Sequence, residues 1–457
     1  MDALKKLTRF WMTFESPVAR ADYLRHGVGL MILKYGVDAG VIAMATGALW
    51  TPADYLQSVP LLVATRLTGA PNYLAPLLAA WTLPFLWIGI TMTIRRLLDA
   101  GFSAWWSLLF FVPFVNYGLM GGLAAVPQSK QGRKVEPAPE PDGQRIPQAL
   151  VSIGVGGLTG LLLLWLGVAW LESYGMSLFM GTPFVIGITT GFVLCRRYPA
   201  SGMETAEVVA LTVLLVAGAA FALGVEGAVC LLMIAPLGIV LAIMGGVVGR
   251  YLANAGQSPV KGAALVAVLL PSGLATEAGP DFGALREVRS AVEIDAPPEV
   301  VWDMVVEFPP LPEPEQWMFR MGIAYPVRAE IRGAGVGAIR YCVFSTGPFV
   351  EPITAWEPGR RLSFDVVESP RPLEEFSFLN ASPPHLTGYL APRRGEFRLI
   401  PLPGGRTRLE GSTWYDQKLR PEGYWVVFSD YVISEIHDQV LRHIKRVSEE
   451  PPPAQPR

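Results

Sequence analysis

The stretch "REVRSAVEIDAPPEVVWDMVVEF", Arg286 to Phe308, decides how this chain is read. Its first nine or ten residues alternate in polarity as a strand does. Ala-Pro-Pro then opens a short helix carrying Val301, Trp302 and Val305. Proline is well tolerated there because its missing N–H would have had no partner in the first turn. Strand followed by a short helix is the grammar of a soluble domain. The residues before about 280 follow a different one.

The chain has 457 residues, 51% of them hydrophobic and 17% charged, against a usual charged share of roughly 25%. The deficit lies upstream. A membrane-spanning helix needs about 20 mainly apolar residues, and candidates fall at 27–50, 73–94, 103–126, 148–171, 177–195, 206–224 and 228–249, with a shorter run at 262–276. The sequence therefore predicts a multi-pass α-helical membrane module followed by an α+β domain. A net charge of −2 gives no general attraction to nucleic acid. Cys195, Cys230 and Cys342 are scattered without ligand spacing, so neither a disulfide framework nor a metal site is expected. The first 25 residues are charged and lack the apolar core of a cleavable signal.

Lys and Arg mark the cytoplasmic side of each crossing. Lys5, Lys6, Arg9, Arg20 and Arg25 put the N-terminus there, and Arg95, Arg96, Lys130, Arg133, Lys134, Arg196, Arg197 and Arg250 ask for the same side. The run 103–126 cannot cross once and satisfy both flanks, so it reads as two short, re-entrant pieces broken around Pro113 and Asn116. Arg95, Arg96 and Asp99 read either as a boundary signal or as a buried charge cluster locking two helix ends. Lys34 and Asp38 are four apart and share a helix face. Gly36/Gly40, Gly156/Gly160 and Gly245/Gly249 have the spacing that lets helix backbones approach closely.

"SPVARADYL" at 16–24 and "RRLLDAGFSAWWSLLFFVPFVNYG" at 95–118 resemble the bacterial inner-membrane family called domain of unknown function 805. Arg20, Tyr23, Arg95, Arg96, Leu97, Asp99, Ser103, Trp105 and Trp106 match its pattern, while Leu98 stands where the family usually has histidine and Ala104 where it has glycine. The resemblance covers about residues 5–127 and implies a location without an activity. The expected organisation is that module over 1–127, a charged Pro-rich connector over 128–147, further spans over 148–280, an α+β domain over 281–450 and a disordered tail over 451–457.

Within the α+β domain, strands are predicted at about 326–332, 337–346, 348–356, 361–368, 394–402 and 406–416, separated by "RGAGVG", "EPGR" and "PGGR" turns. A helix follows over 421–447, with Trp425, Phe428, Val432 and Ile436 as its apolar stripe. "VEIDAPPEVVW", "GGRTRLEGSTWY" and this helix together resemble the START-like helix-grip superfamily of polyketide cyclases and lipid-transfer domains. The resemblance implies a curved antiparallel sheet around the C-terminal helix, with an apolar cavity between them as the ligand site.

The aromatic candidates for that cavity are Trp302, Trp317, Tyr341, Phe344, Trp356 and Phe364, then Trp414, Tyr424, Trp425, Phe428 and Tyr431. For any one of them, plain core packing is the first expectation. His385, Arg398 and Arg408 are the polar candidates, the two arginines on neighbouring strands and able either to bridge Glu410 or to meet an anionic head group. His437 and His443 are six apart and do not form the i, i+4 pair of a helical zinc site. No catalytic residue, metal or cofactor is assigned. The expected function is a bacterial inner-membrane protein that tethers a START-like domain binding an apolar small molecule or lipid, with the bilayer itself as a partner. The alternatives are an interaction or assembly module with a filled interior, and a cyclase- or hydrolase-like enzyme. Glu277 and Asp281 beyond 262–276 favour an extracytoplasmic C-terminal domain under the charge rule.

Overall fold

The computed structural model describes residues 7–8, 10–11, 17–55, 74–111, 115–129, 145–170, 174–256, 285–374 and 388–450. Most of the 128–147 connector, the run 262–276, His385 and the 451–457 tail lie outside them. The chain divides into two compact units, residues 1–223 with 230–280 and residues 224–229 with 281–457; the described residues up to 256 are mainly helical, and those from 285 onward form an α+β domain.

In the first unit, five helices are long and apolar enough to cross a membrane: Arg20–Thr46, Arg145–Val168, Ser177–Arg197, Gly202–Ala222 and Ala228–Asn254. Leu74–Asp99 is a further helix of 26 residues with Pro84 inside it. Where the sequence predicts two short pieces over 103–126, a 3₁₀ segment Ala104–Phe111 and a helix Val115–Ala125 stand. Glycine sets the closest helix approach. A Cβ added to Gly245 would lie 2.2 Å from the Phe184 carbonyl oxygen, and one added to Gly249 would lie 2.2 Å from that of Ile188. Gly156 and Gly160 likewise meet Thr190 and Ile186, whereas nothing described lies within 4 Å of a Cβ at Gly36 or Gly40.

The second unit is a seven-stranded antiparallel sheet in the order β1-β7-β6-β5-β4-β3-β2, with β1 Arg286–Ile294, β2 Pro326–Arg332, β3 Ile339–Phe344, β4 Gly347–Glu357, β5 Arg361–Asp365, β6 Leu390–Leu402 and β7 Arg406–Gln417. Strands β2 to β7 form a meander, and β1 closes onto β7 with Arg286 opposite Tyr415 and Ile294 opposite Thr407. The short helix is Pro298–Val306, and it buries Val301, Trp302 and Val305. The C-terminal helix runs Glu422–Glu449. Its far end is tied to β1 by Lys445 Nζ donating to the Glu293 carbonyl at 2.6 Å and the Asp295 N–H donating to Glu449 at 2.7 Å. One apolar core gathers Ile294, Val301, Val305 and Phe308 with Ile353, Leu362, Leu399 and Leu409 of the sheet and Val440, Leu441 and Ile444 of the helix. This is the helix-grip arrangement.

The helix is phased differently from its predicted stripe. It buries Trp425, Val426, Ser429, Asp430, Ile433, Val440, Leu441, His443 and Ile444, while Phe428, Val432 and Ile436 are half-buried. Polar residues hold inward positions because the sheet supplies their partners: Gln417 donates to Ser429 at 2.7 Å, Tyr415 donates to Asp430 at 2.5 Å, and Arg286 pairs with Asp430 at 2.8 Å. A hydrophobicity stripe cannot register inward positions of this kind.

Candidate functional site

Between the sheet and the Glu422–Glu449 helix lies a cavity of about 130 Å³. Its apolar wall comes from Phe344, Phe349, Phe364, Phe397, Ile433, Ile436, Val440 and Leu441. The wall follows from strand alternation: Phe344 is in phase with Cys342 and Arg340 on β3, and Phe349 with Glu351 on β4. Rings of Phe344 and Phe349 meet edge to face at 4.7 Å. Gly395 completes the surface, because a Cβ there would sit 2.4 Å from the Phe364 ring.

The residues lining this space include Cys342, Glu351, Glu396 and His437 together with the arginines Arg340 and Arg394. Arg340 and Glu351 stand directly opposite in the β3–β4 register and form an ion pair in which both are buried. The Arg340 guanidinium lies 5.2 Å from the centre of the Phe364 ring and 5.6 Å from those of Phe308 and Phe397, so three aromatic faces surround its charge. Burial pushes the Glu351 carboxyl up against the pull of Arg340. The Cys342 thiol is pushed up to about 12, first by burial and then by the Glu351 charge, which makes it an inert wall residue. On the helix, His437 meets Thr413 Oγ1 through Nε2 at 2.8 Å. Burial pushes its imidazole down to about 4, so the ring is neutral at pH 7.

Of the sequence candidates, Phe344 and Phe364 stand in the wall. Trp302 and Trp356 pack edge to face at 5.5 Å within the core instead. Trp317 is 62% exposed, and Tyr431 is exposed too. Tyr341 points away from the cavity, with Arg332 over its ring at 4.9 Å, and Trp414 stacks with Arg394 at 4.8 Å. Tyr424, Trp425 and Phe428 form their own aromatic cluster at the start of the helix. Arg398 pairs with Glu396 at 3.0 Å and Arg408 with Glu410 at 3.0 Å, each about half-exposed, so neither reaches the cavity. Sequence reasoning missed Arg340, Glu351 and His437. The signal was present for the first two: Arg340 is in strand phase with Phe344, and the 344–347 hairpin brings Glu351 opposite it.

In the helical unit, Arg95 and Arg96 are 1% and 0% exposed. Arg96 pairs with Asp99 and donates to the carbonyls of Leu123, at 3.1 Å, and Val126. Gln128 donates to the other Asp99 oxygen at 2.7 Å. Arg95 donates to the Phe10 carbonyl at 2.5 Å and covers the Phe10 ring. Arg20 is exposed and outside this cluster. Lys34 and Tyr55 both donate to Asp38. Among the described residues, no group of three or more His, Cys, Asp or Glu could hold a metal ion.

A sheet curled over a long helix, with an apolar void between them, is the ground for comparison. Residues 286–449 match the family model of polyketide cyclases, dehydrases and lipid-transport proteins. The helix-grip unit also resembles several solved structures. The Zhui aromatase/cyclase from a Streptomyces species is 13% identical over 36% of this chain and 94% of its own, with a TM-score of 0.24. The XoxI protein from Bacillus cereus is 12% identical over 35% and 94%, with a TM-score of 0.24. A Thermus thermophilus protein is 16% identical over 35% and 96%, with a TM-score of 0.23. No curated protein matches the chain.

Proposed function

We propose that the chain is a bacterial inner-membrane protein whose tethered helix-grip domain binds an apolar small molecule, or the end of a lipid, in the cavity under its sheet. The carrying observation is the void itself, about 130 Å³ walled by five phenylalanines and by aliphatic residues of the helix. Tethering raises the effective concentration of such a pocket near ligands dissolved in the bilayer. A filled interior would have suited an assembly module, and the void weighs against that reading. The membrane assignment rests on the apolar helices and on the resemblance of residues 5–127. The outward orientation of the domain rests on the charges flanking 262–276, and a phosphatase fused at residue 457 is expected to be active.

The second reading, acid–base catalysis in the cavity, would have to rest on His437. An imidazole at about 4 is a weak base at neutral pH, far from the value near the working pH that proton transfer favours. Binding is therefore the primary reading. Native mass spectrometry of the full chain released from detergent tests it. Wild type is expected to carry or acquire an apolar adduct that a cavity-filling Leu441→Trp variant lacks. A wild type that retains nothing, and whose melting temperature is unmoved by a panel of apolar ligands, overturns the proposal.

A further inference from the structure

The two sides of the cavity differ in kind. The sheet side carries rings: Phe344, Phe349, Phe364 and Phe397 come from the four adjacent strands β3 to β6, and Phe308 from the segment after the short helix. The helix side carries the branched aliphatic chains of Ile433, Ile436, Val440 and Leu441. Neighbouring rings are inclined rather than coplanar, Phe344 to Phe349 by 70° and Phe364 to Phe397 by 42°. A flat aromatic ring laid among inclined rings can meet edges with its face and faces with its edge, as aromatic pairs prefer. A saturated ring of the same size lacks the quadrupole and gains burial alone. The rings are also held before any ligand arrives. The Arg340 guanidinium stands over Phe308, Phe364 and Phe397, and Gly395 leaves Phe364 the room that a Cβ would take. A preformed wall spares a ligand the cost of ordering it.

The charged side chains that line the cavity are engaged with one another. Arg340 pairs with Glu351, while Arg394 at 3.1 Å and the Ser363 hydroxyl at 2.8 Å both donate to Glu396. An ionic ligand would shed its water and meet charges that are already balanced. Size sets a further limit. The void is about 130 Å³, and an engineered apolar cavity of about 150 Å³ takes up benzene. One six-membered ring fits, and a second fused ring would overpack the site. We propose that the ligand of this cavity is an uncharged compound with a single aromatic ring, selected over aliphatic ligands by the phenylalanines of β3 to β6 and over fused rings by Val440 and Leu441 of the helix. This rests on the apolar-ligand reading of the same cavity and narrows it to one class.

Four hydrocarbon probes test this on the full chain in nanodiscs: toluene, methylcyclohexane, n-heptane and 1-methylnaphthalene. Uptake by empty discs is measured in parallel, and each affinity is referred to probe dissolved in the bilayer, which removes differences in water solubility. Toluene is expected to bind at least threefold more tightly than methylcyclohexane or n-heptane, with 1-methylnaphthalene weakest. Phe344→Leu combined with Phe349→Leu should bring toluene down to the affinity of methylcyclohexane. Leu441→Ala opens the void from the helix side, and should raise the affinity for 1-methylnaphthalene at least tenfold. A smaller toluene preference in wild type, its persistence in the double variant, or wild-type binding of 1-methylnaphthalene as tight as that of toluene overturns the inference and leaves the apolar-ligand reading standing. Binding of none of the four overturns that reading as well.

Discussion

Both units bury an arginine against a carboxylate, and they do so to different ends. In the helical unit, the Nε and both terminal nitrogens of Arg96 have acceptors, namely the Leu123 carbonyl, Asp99 and the Val126 carbonyl, and Gln128 takes the second Asp99 oxygen. The pair ties the end of the Leu74–Asp99 helix to the end of the Val115–Ala125 helix with those groups all satisfied. In the sheet unit, Arg340 has Glu351 and three aromatic faces, but its Nε has no protein partner and the pair opens onto a void. A buried charge is therefore not in itself a sign of a ligand site. Hydrogen-bonding capacity left over beside a cavity is the better sign, because an unmade bond in a low-dielectric interior is costly.

Removing one partner from each pair tests this contrast hardest. Asp99→Leu and Glu351→Leu should each destabilise their unit by about 3–5 kcal/mol, since either leaves a buried guanidinium uncompensated. The double replacements should then diverge. Arg340→Met with Glu351→Leu is expected to return to within about 1 kcal/mol of wild type, because an apolar pair suits the aromatic surroundings. Arg96→Met with Asp99→Leu should stay low, as two carbonyls and Gln128 lose their partners. Denaturant unfolding in detergent reads both, and equal recovery of the two doubles would contradict the contrast.

The next effect is one of pH. The folded His437 imidazole, at about 4, takes up a proton less readily than the unfolded one at about 6.5. Its contribution is therefore complete above pH 6.5 and is lost as the pH falls toward 4. The loss should reach about 2 kcal/mol, because a tenfold change in proton affinity corresponds to about 1.4 kcal/mol and the ring's exposure to the void takes up part of the difference. Subtracting the pH profile of His437→Phe from that of wild type isolates it, and superimposable profiles would show that His437 contributes nothing. Smaller still, Gly395→Ala should cost roughly 1 kcal/mol, at the low end for overpacking because the Phe364 ring can tilt into the cavity. It should also weaken the binding of apolar ligands by shrinking the void. Arg408→Ala should change stability by less than about 0.5 kcal/mol, as expected of an exposed pair, with ligand binding untouched.

The fold was largely legible in advance, and the site was not. The strand over 326–332 and the Pro298–Val306 helix follow from alternation and from proline at a helix start, and the strand expected over 361–368 forms over Arg361–Asp365. Those are local signals that long-range packing did not override. Aromatic content was a poor guide to the cavity: Trp302 and Trp356 fill the core, and Trp317 and Tyr431 face outward. Ring size rewards burial anywhere, so it does not distinguish a cavity wall from a packed interior. The polar wall escaped notice because Arg340, Glu351 and His437 look like surface residues in a one-dimensional pattern. They become tolerable inside only once partners from other strands are placed beside them.

Local sequence was thus enough to specify that apolar helices precede an antiparallel helix-grip unit, because hydrophobic period and turn chemistry are properties of neighbouring residues. It also held the register that sets Arg340 against Glu351, since a short hairpin leaves few alternatives. Long-range packing was needed to settle which face of the Glu422–Glu449 helix turns inward, since Ser429, Asp430 and His437 are admitted there by Gln417, Tyr415 and Thr413. It likewise settled which buried charges are spent on structure and which are left with a free donor, because satisfaction depends on carbonyls and hydroxyls distant in the chain.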